Sequence, residues 1–135
     1  MAMLAIAVGM VSLALRDRSS QKLEEEGARL AALLESARAH SRALGYGLSW
    51  RPAAEAPGFE FLGSPPSLSW PKRWLDDGTR ARILGGADRL SLGPEPMVGE
   101  QRVVLSLGEQ EVVVATDGWA PFAVNPVPAA GASQP

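Results

Sequence analysis

The sequence predicts an α+β fold: a long N-terminal α-helix packed on a small antiparallel β domain built as two small sheets. Three observations carry this expectation. Met1 to Leu44 contains no Pro, and Leu23, Gly27, Leu30, Leu34, Ala37, Ser41 and Leu44 recur at alternating steps of four and three, which lines one helical face. From Gly45 onward, short β-branched and aromatic runs are punctuated by Gly and Pro, the signature of strands and turns. The chain has 135 residues, 46% hydrophobic and 21% charged, which suits one folded domain with an appendage.

The helix divides at its first charges. Residues 1–15 carry no charge and no strong polar group but Ser12. Leu4, Ile6, Val8, Met10, Val11, Leu13 and Leu15 mark this part as a partial transmembrane helix, the same residues that the family resemblance given below would place in a filament core. Arg16, Asp17 and Arg18 end it short of the ~20 apolar residues a membrane span requires. No basic residue precedes it and no small-residue cleavage site follows, so it does not read as a secretory signal. Residues 16–44 form the amphipathic continuation. Leu23, Leu30, Leu34 and Leu44 are expected to pack on the sheet, and Glu25–Arg29 (i,i+4) and Glu35–Arg38 (i,i+3) to pair along the helix. At ~1.5 Å per residue the whole helix would be on the order of 65 Å long, too long for so small a domain. Its apolar start is therefore the part expected to project.

Residues 45–124 read as the β domain. Gly45 has the helix-ending character, and Tyr46 to Arg51 alternates as a first strand. Pro52 to Gly58 is a loop and Phe59 to Leu62 a second strand. Gly63 to Gly78 is irregular, since Pro65, Pro66 and Pro71 exclude a central strand. Arg80–Leu84 and Leu90–Leu92 are short strand candidates on either side of Gly85-Gly86. Arg102–Leu107 and Glu111–Ala115, joined by Gly108-Glu-Gln, read as a β-hairpin, and Pro121–Val124 as a last short strand. Residues 125–135 have the composition of a disordered tail.

Searching the chain for chemistry yields no catalytic, cofactor or metal site, and the reading is non-enzymatic. The absence of Cys excludes disulfides, thiolate nucleophiles and Cys-based zinc sites. His40, the only histidine, falls off the Leu30–Leu34–Ala37 face and reads as solvated. Glu24-Glu25-Glu26 reads as a solvated acidic face, because consecutive helical residues point in different directions. Gly85-Gly86-Ala-Asp88 lacks P-loop or dinucleotide spacing, and no Gly-x-Ser-x-Gly occurs. Trp70 and Trp74, flanking Pro71-Lys72-Arg73, are a candidate partner surface for bases or sugars. The more economical reading folds both indoles over the sheet with Lys72 and Arg73 solvated. The net charge of −2, with no Lys or Arg after Arg102, argues against nucleic acid as a partner.

The pattern as a whole resembles the type IV pilin-like superfamily, and within it the GspH/FimT family of minor pseudopilins and minor pilins. Leu15 to Ser19 (LRDRS) ends the apolar helix, and Leu23 to Arg38 follows the family's LE-x-E-x-x-RLAALLE-x-AR pattern. Gly58-Phe-Glu-Phe-Leu62 is similar to its Gly-Tyr-x-Phe-Leu. Asp117-Gly-x-x-Pro-Phe-x-Val124 is similar to its closing Gly-x-x-x-Pro-Phe strand. The likeness spans most of Met1 to Val124 and is weakest from Gly63 to Pro96. Family members open with a leader and Gly-Phe-Thr-Leu-x-Glu, the signal for cleavage and N-methylation. That signal is not in this sequence, and Met1-Ala-Met-Leu matches the middle of the family's apolar helix. The expectation is a reading frame continuing upstream with roughly ten to fifteen more apolar residues, enough to complete a span.

The resemblance implies a minor pseudopilin of the type II secretion system, a single-pass inner-membrane protein with its β domain in the periplasm. Its implied partners are the major and other minor pseudopilins, inner-membrane assembly components and, through the N-terminal helix, the membrane. The alternatives are a FimT/FimU-like minor pilin of type IV pili and a membrane-anchored periplasmic binding module using the Trp70–Trp74 loop.

Overall fold

A computed structural model describes residues 2–54, 57–95 and 99–126, with the side chains of the helix from Arg18 onward. One helix, α1 (Ala2–Leu44), is followed by seven strands: β1 (Ser49–Pro52), β2 (Phe59–Leu62), β3 (Arg80–Ile83), β4 (Leu90–Ser91), β5 (Gln101–Leu107), β6 (Gln110–Thr116) and β7 (Ala123–Pro126). Two antiparallel sheets result, one ordered β2-β1-β4 and the other β3-β5-β6-β7. The α+β class of the sequence reading therefore holds, with two sheets.

The Ala, Leu, Glu and Arg that dominate α1 lose little side-chain freedom in a helix. The helix stops at Gly45, whose φ of 73° is open to glycine at little cost and whose N–H donates to the Ser41 carbonyl at 2.8 Å. In β5 and β6 alternate residues face the helix: Val103, Leu105, Val112 and Val114 are buried. Their hairpin closes Leu107 onto Gln110 through Gly108-Glu109, with Gly108 at φ 61° in the first central position, where a II′ turn takes glycine. β3 and β4, adjacent in sequence, join different sheets. The Gly85-Gly86 break lets the chain cross between them.

The core lies between α1 and the sheets. Leu23, Leu30, Leu34 and Ala37 meet the inner face of the larger sheet, while Leu48, Trp50, Phe59, Leu90 and Leu92 come from the smaller sheet and the segments beside it. Leu23, Leu30 and Leu34 are fully buried, each worth roughly 1.5–3 kcal/mol relative to exposure. Gly27 sits where a Cβ would lie 3.0 Å from Val124 Cγ2 and 3.4 Å from Val112 Cγ2. Its missing side chain lets helix and sheet approach closely.

Four details differ from expectation. Leu44 is 61% exposed rather than packed. A stripe repeating every seven residues drifts about 20° per heptad around a straight helix, so from Leu23 to Leu44 it rotates by roughly 60°, and the buried face ends at Ser41. Glu26 is only 2% exposed and belongs to the packing face, being three residues from Leu23 and four from Leu30. It takes Arg29, at 2.8 Å, in place of the Glu25–Arg29 pair. The first strand starts at Ser49, not Tyr46, and the last covers Ala123–Pro126, which brings Asn125 and Pro126 out of the expected tail; residues 127–135 lie outside the described residues. Finally, His40 is half-buried, its ring edge-on to Trp70 at 5.5 Å.

Candidate functional site

Two Glu–Arg pairs, nine residues apart on α1, tie distant loops to the helix. Glu26 Oε2 accepts from Arg29 at 2.8 Å, and its other oxygen accepts the Leu75 backbone N–H at 2.5 Å, across 49 residues of sequence. Arg29 donates to the Arg73 carbonyl and lies 5.9 Å from the Phe59 ring centroid. Glu35 Oε2 repeats the arrangement: it accepts from Arg38 at 2.9 Å and from the Phe122 N–H at 2.9 Å, across 87 residues. The Arg38 guanidinium lies 5.9 Å from the Phe122 ring centroid. Each i,i+3 pair thus neutralises a desolvated charge, satisfies a loop N–H and stacks on an aromatic ring. Bound twice, the helix and the β domain form one body.

The tryptophans divide into three inside and one outside. Trp74, a candidate partner-surface residue, is 5% exposed and packs on Phe59 at 4.6 Å and Trp50 at 6.3 Å. Trp70 is half-buried, stacked on Phe61 at 4.7 Å, with its indole N–H donating to Ser64 Oγ at 2.9 Å. The loop folds these rings onto the sheet because Glu26 and Arg29 hold Leu75 and Arg73 to the helix. The Trp70–Trp74 segment therefore presents no paired aromatic face for a ligand, while Lys72 and Arg73 stay exposed.

Trp119 is the exception, at 77% exposed. Its turn is tightly specified. Asp117 Oδ1 accepts the N–H groups of Trp119 and Ala120, both at 2.8 Å, and Thr116 Oγ1 donates to the Ala120 carbonyl at 2.6 Å while accepting from Gly118 at 3.0 Å. The Ala120 and Trp119 N–H groups hold the Asp117 carboxyl below the usual aspartate range. Leu75 is also exposed, beside a cleft of about 230 Å³ lined by Lys22, Glu25, Glu26 and Asp76.

A pocket of about 290 Å³ lies between the β1–β2 loop and β3, walled by Pro52, Ala54, Pro57, Trp74, Arg80 and Ala81; Trp70 does not line it. Among the described residues no group of three His, Cys, Asp or Glu side chains could hold a metal ion. Likewise, no helix among them is long and apolar enough to cross a membrane. Leu4, Ile6, Val8, Met10, Val11, Leu13 and Leu15 fall outside the described side chains.

Sequence reasoning missed Glu26 and Trp119. The first had a signal, its place between Leu23 and Leu30 on the buried stripe. Trp119 had only its position in an Asp-Gly turn.

Comparison with protein-family models, curated proteins and solved structures finds no match to this chain.

Proposed function

We propose that this chain is a minor pseudopilin of the H type, a structural subunit of the periplasmic pseudopilus of type II secretion. In this reading it sits in the bacterial inner membrane through its N-terminal helix before assembly, with the β domain in the periplasm. The observation that carries the reading is the single uninterrupted helix, Ala2–Leu44, whose first buried core side chain among the described residues is Leu23. The uncharged run before Arg16 then has two successive hosts, lipid and the apolar core of a filament. An all-apolar surface suits both, since helices in lipid associate by packing rather than by hydrophobic exclusion. The Glu26–Arg29 and Glu35–Arg38 brackets support the same role, because they transmit load between the anchored helix and the β domain. The reading assigns no catalytic step.

The test is deletion of the gene in its native host. The expected result is loss of extracellular cargo with pilus-dependent motility and DNA uptake intact, and recovery on complementation. Loss of motility with secretion intact would move the chain to the type IV pilus; no effect on either would contradict the proposal.

A further inference from the structure

The outer face of the larger sheet carries a hollow that its small residues create. Val103, Leu105, Val112 and Val114 turn inward, so Arg102, Ala115 and Ala123 lie on the opposite face. The registers set these three in one row, Arg102 with Ala115 and Ala115 with Ala123. Two alanines there leave a floor that larger side chains would fill. The hollow, about 340 Å³, ends at the 116–121 turn on one side and at Asn125, one step along β7, on the other. A smaller hollow of about 170 Å³, at Leu84 and Gly85, shares Glu100 and Arg102 with it. The two are adjacent halves of one open groove, with the Glu100–Arg102 ion pair between them.

Trp119 stands at the rim, between the lining residues Asp117 and Ala120. It makes none of the aromatic pairs that hold the other three tryptophans, and the Asp117 and Thr116 hydrogen bonds fix its backbone. Gly118, at φ 99°, backs the turn against Gly99, where a Cβ would lie 3.0 Å from the carbonyl carbon. An indole on so fixed a backbone is a flat apolar platform that costs little to order.

The groove also holds hydrogen-bonding capacity that the fold does not use. Asp117 accepts two N–H groups at Oδ1 and, among the described residues, none at Oδ2. The exposed Asn125 amide, which can both donate and accept, makes no side-chain hydrogen bond among the described residues. Glu100 and Arg102 are each more than half exposed, which leaves donors and acceptors beyond their own contact.

This combination selects a sugar. A pyranose presents a C–H face that covers an aromatic ring and a rim of hydroxyls that both donate and accept. It therefore fits a platform set beside mixed, planar polar groups. A protein partner would fit a cluster of large apolar side chains with charge depleted at its centre. Here the apolar lining is Ala and Pro, and the other exposed large hydrophobics, Leu44, Leu75 and Leu84, do not line the larger hollow. A nucleic acid would bring its phosphates against Asp117 and Glu100, with one arginine, already paired, to offset them. The same two carboxylates disfavour acidic sugars. The open groove admits the interior of a chain, which a closed pocket would not.

We propose that the groove beside Trp119 binds a neutral hexopyranose chain, one ring stacked on the indole and its hydroxyls held by Asp117 Oδ2, Asn125 and Arg102. The site goes beyond the pseudopilin reading and does not depend on it. Two sources share this chemistry, the N-acetylated glycan strands of a cell wall and a polysaccharide outside the cell.

The test titrates the full-length protein, in a micelle whose head group carries no sugar, with cellotetraose and with N-acetylchitotetraose. NMR follows the indole N–H signals of the four tryptophans, that of Trp119 being assigned by its loss in Trp119→Phe. The Trp119 indole and Asn125 amide signals should shift saturably with at least one of the two sugars, while those of the buried Trp50 and Trp74 stay. Tighter binding of the N-acetylated chain assigns the cell-wall glycan, and tighter binding of cellotetraose the external polysaccharide. Trp119→Ala, which removes the platform, and Ala123→Phe, which fills the floor, both alter exposed positions. Each should keep the wild-type melting temperature and weaken binding roughly tenfold or more. Tetragalacturonate should not bind. No saturable shift with either sugar, equal binding of tetragalacturonate, or an affinity unchanged by Trp119→Ala overturns the site. Because every readout is on the purified protein, its failure leaves the secretion phenotype of the deletion strain untouched, and the failure of that phenotype leaves the sugar site standing.

Discussion

The backbone N–H of Phe122 donates to the Glu35 carboxylate at 2.9 Å, joining the residue that leads into β7 to the C-terminal part of the helix. Arg38, 4% exposed, shares that oxygen and leans over the Phe122 ring. Glu35→Ala therefore strands a buried guanidinium and an N–H together. Part of the Glu35 side chain is solvent-accessible, so the cost is set near that of lost charged hydrogen bonds, about 1.5–3 kcal/mol. Urea denaturation should show this loss, and Glu35→Ala/Arg38→Met should recover part of it, because an apolar pair removes the orphaned charge. A double variant as unstable as the sum of the single changes would show that the two side chains act separately.

Gly27 tests how closely helix and sheet approach. Gly27→Ala gains helix propensity of about 1 kcal/mol but places a methyl 3.0 Å from Val124 Cγ2. Since that neighbour is a side chain able to give by a few tenths of an ångström, the two effects should nearly cancel. Gly27→Leu cannot be accommodated so and should cost about 1–3 kcal/mol through overpacking. Equal melting temperatures for wild type and Gly27→Leu would mean the sheet stands further off.

The buried stripe makes a graded prediction. Leu30→Ala and Leu34→Ala should each destabilise by ~2–5 kcal/mol, the range for buried leucines. Leu44→Ala, at a residue 61% exposed, should fall within about 0.5 kcal/mol of wild type. A large loss at Leu44 would reinstate it on the packing face.

Asp117 gives the turn an acid limit. Its folded carboxyl is held below the ordinary aspartate range by the Ala120 and Trp119 N–H groups. A depressed folded value means that the contribution is present above the unfolded pKa and lost as pH falls through the folded one. NMR titration should show the Trp119 and Ala120 amide shifts moving together at an acidic midpoint below that of an unstructured aspartate. Asp117→Asn should abolish the titration while keeping the turn. A midpoint at or above the ordinary value would contradict the hydrogen-bond geometry.

How much of this was legible in the sequence depends on the range of the cause. The helix, the β5–β6 hairpin and the division into helix and antiparallel sheet follow from spacing within a few residues of each side chain. Leu44 misled because a heptad step was extended past the point where helical drift leaves the face. Glu26 looked like one of three solvated acids, since its N–H donor, Leu75, arrives from 49 residues away. Trp70 and Trp74 do fold onto the sheet with Lys72 and Arg73 exposed, as the more economical reading of that segment has it. Trp119 was the opaque one: whether an indole is covered depends on loops delivered from elsewhere, and its Asp117-Gly118 turn says nothing of that.

In the proposed role, the uncharged run of residues 1–15 comes to lie in the core of a filament of pilin-like subunits. A photo-cross-linking residue at Val8, introduced in the native host, reports where that run lies. With the assembly machinery intact, the expected product is a covalent adduct, identified by mass spectrometry, to the apolar N-terminal helix of another pilin-like subunit. That adduct should vanish when the assembly ATPase is deleted. Cross-links to lipid alone in both strains, or to none of the filament subunits, would contradict it.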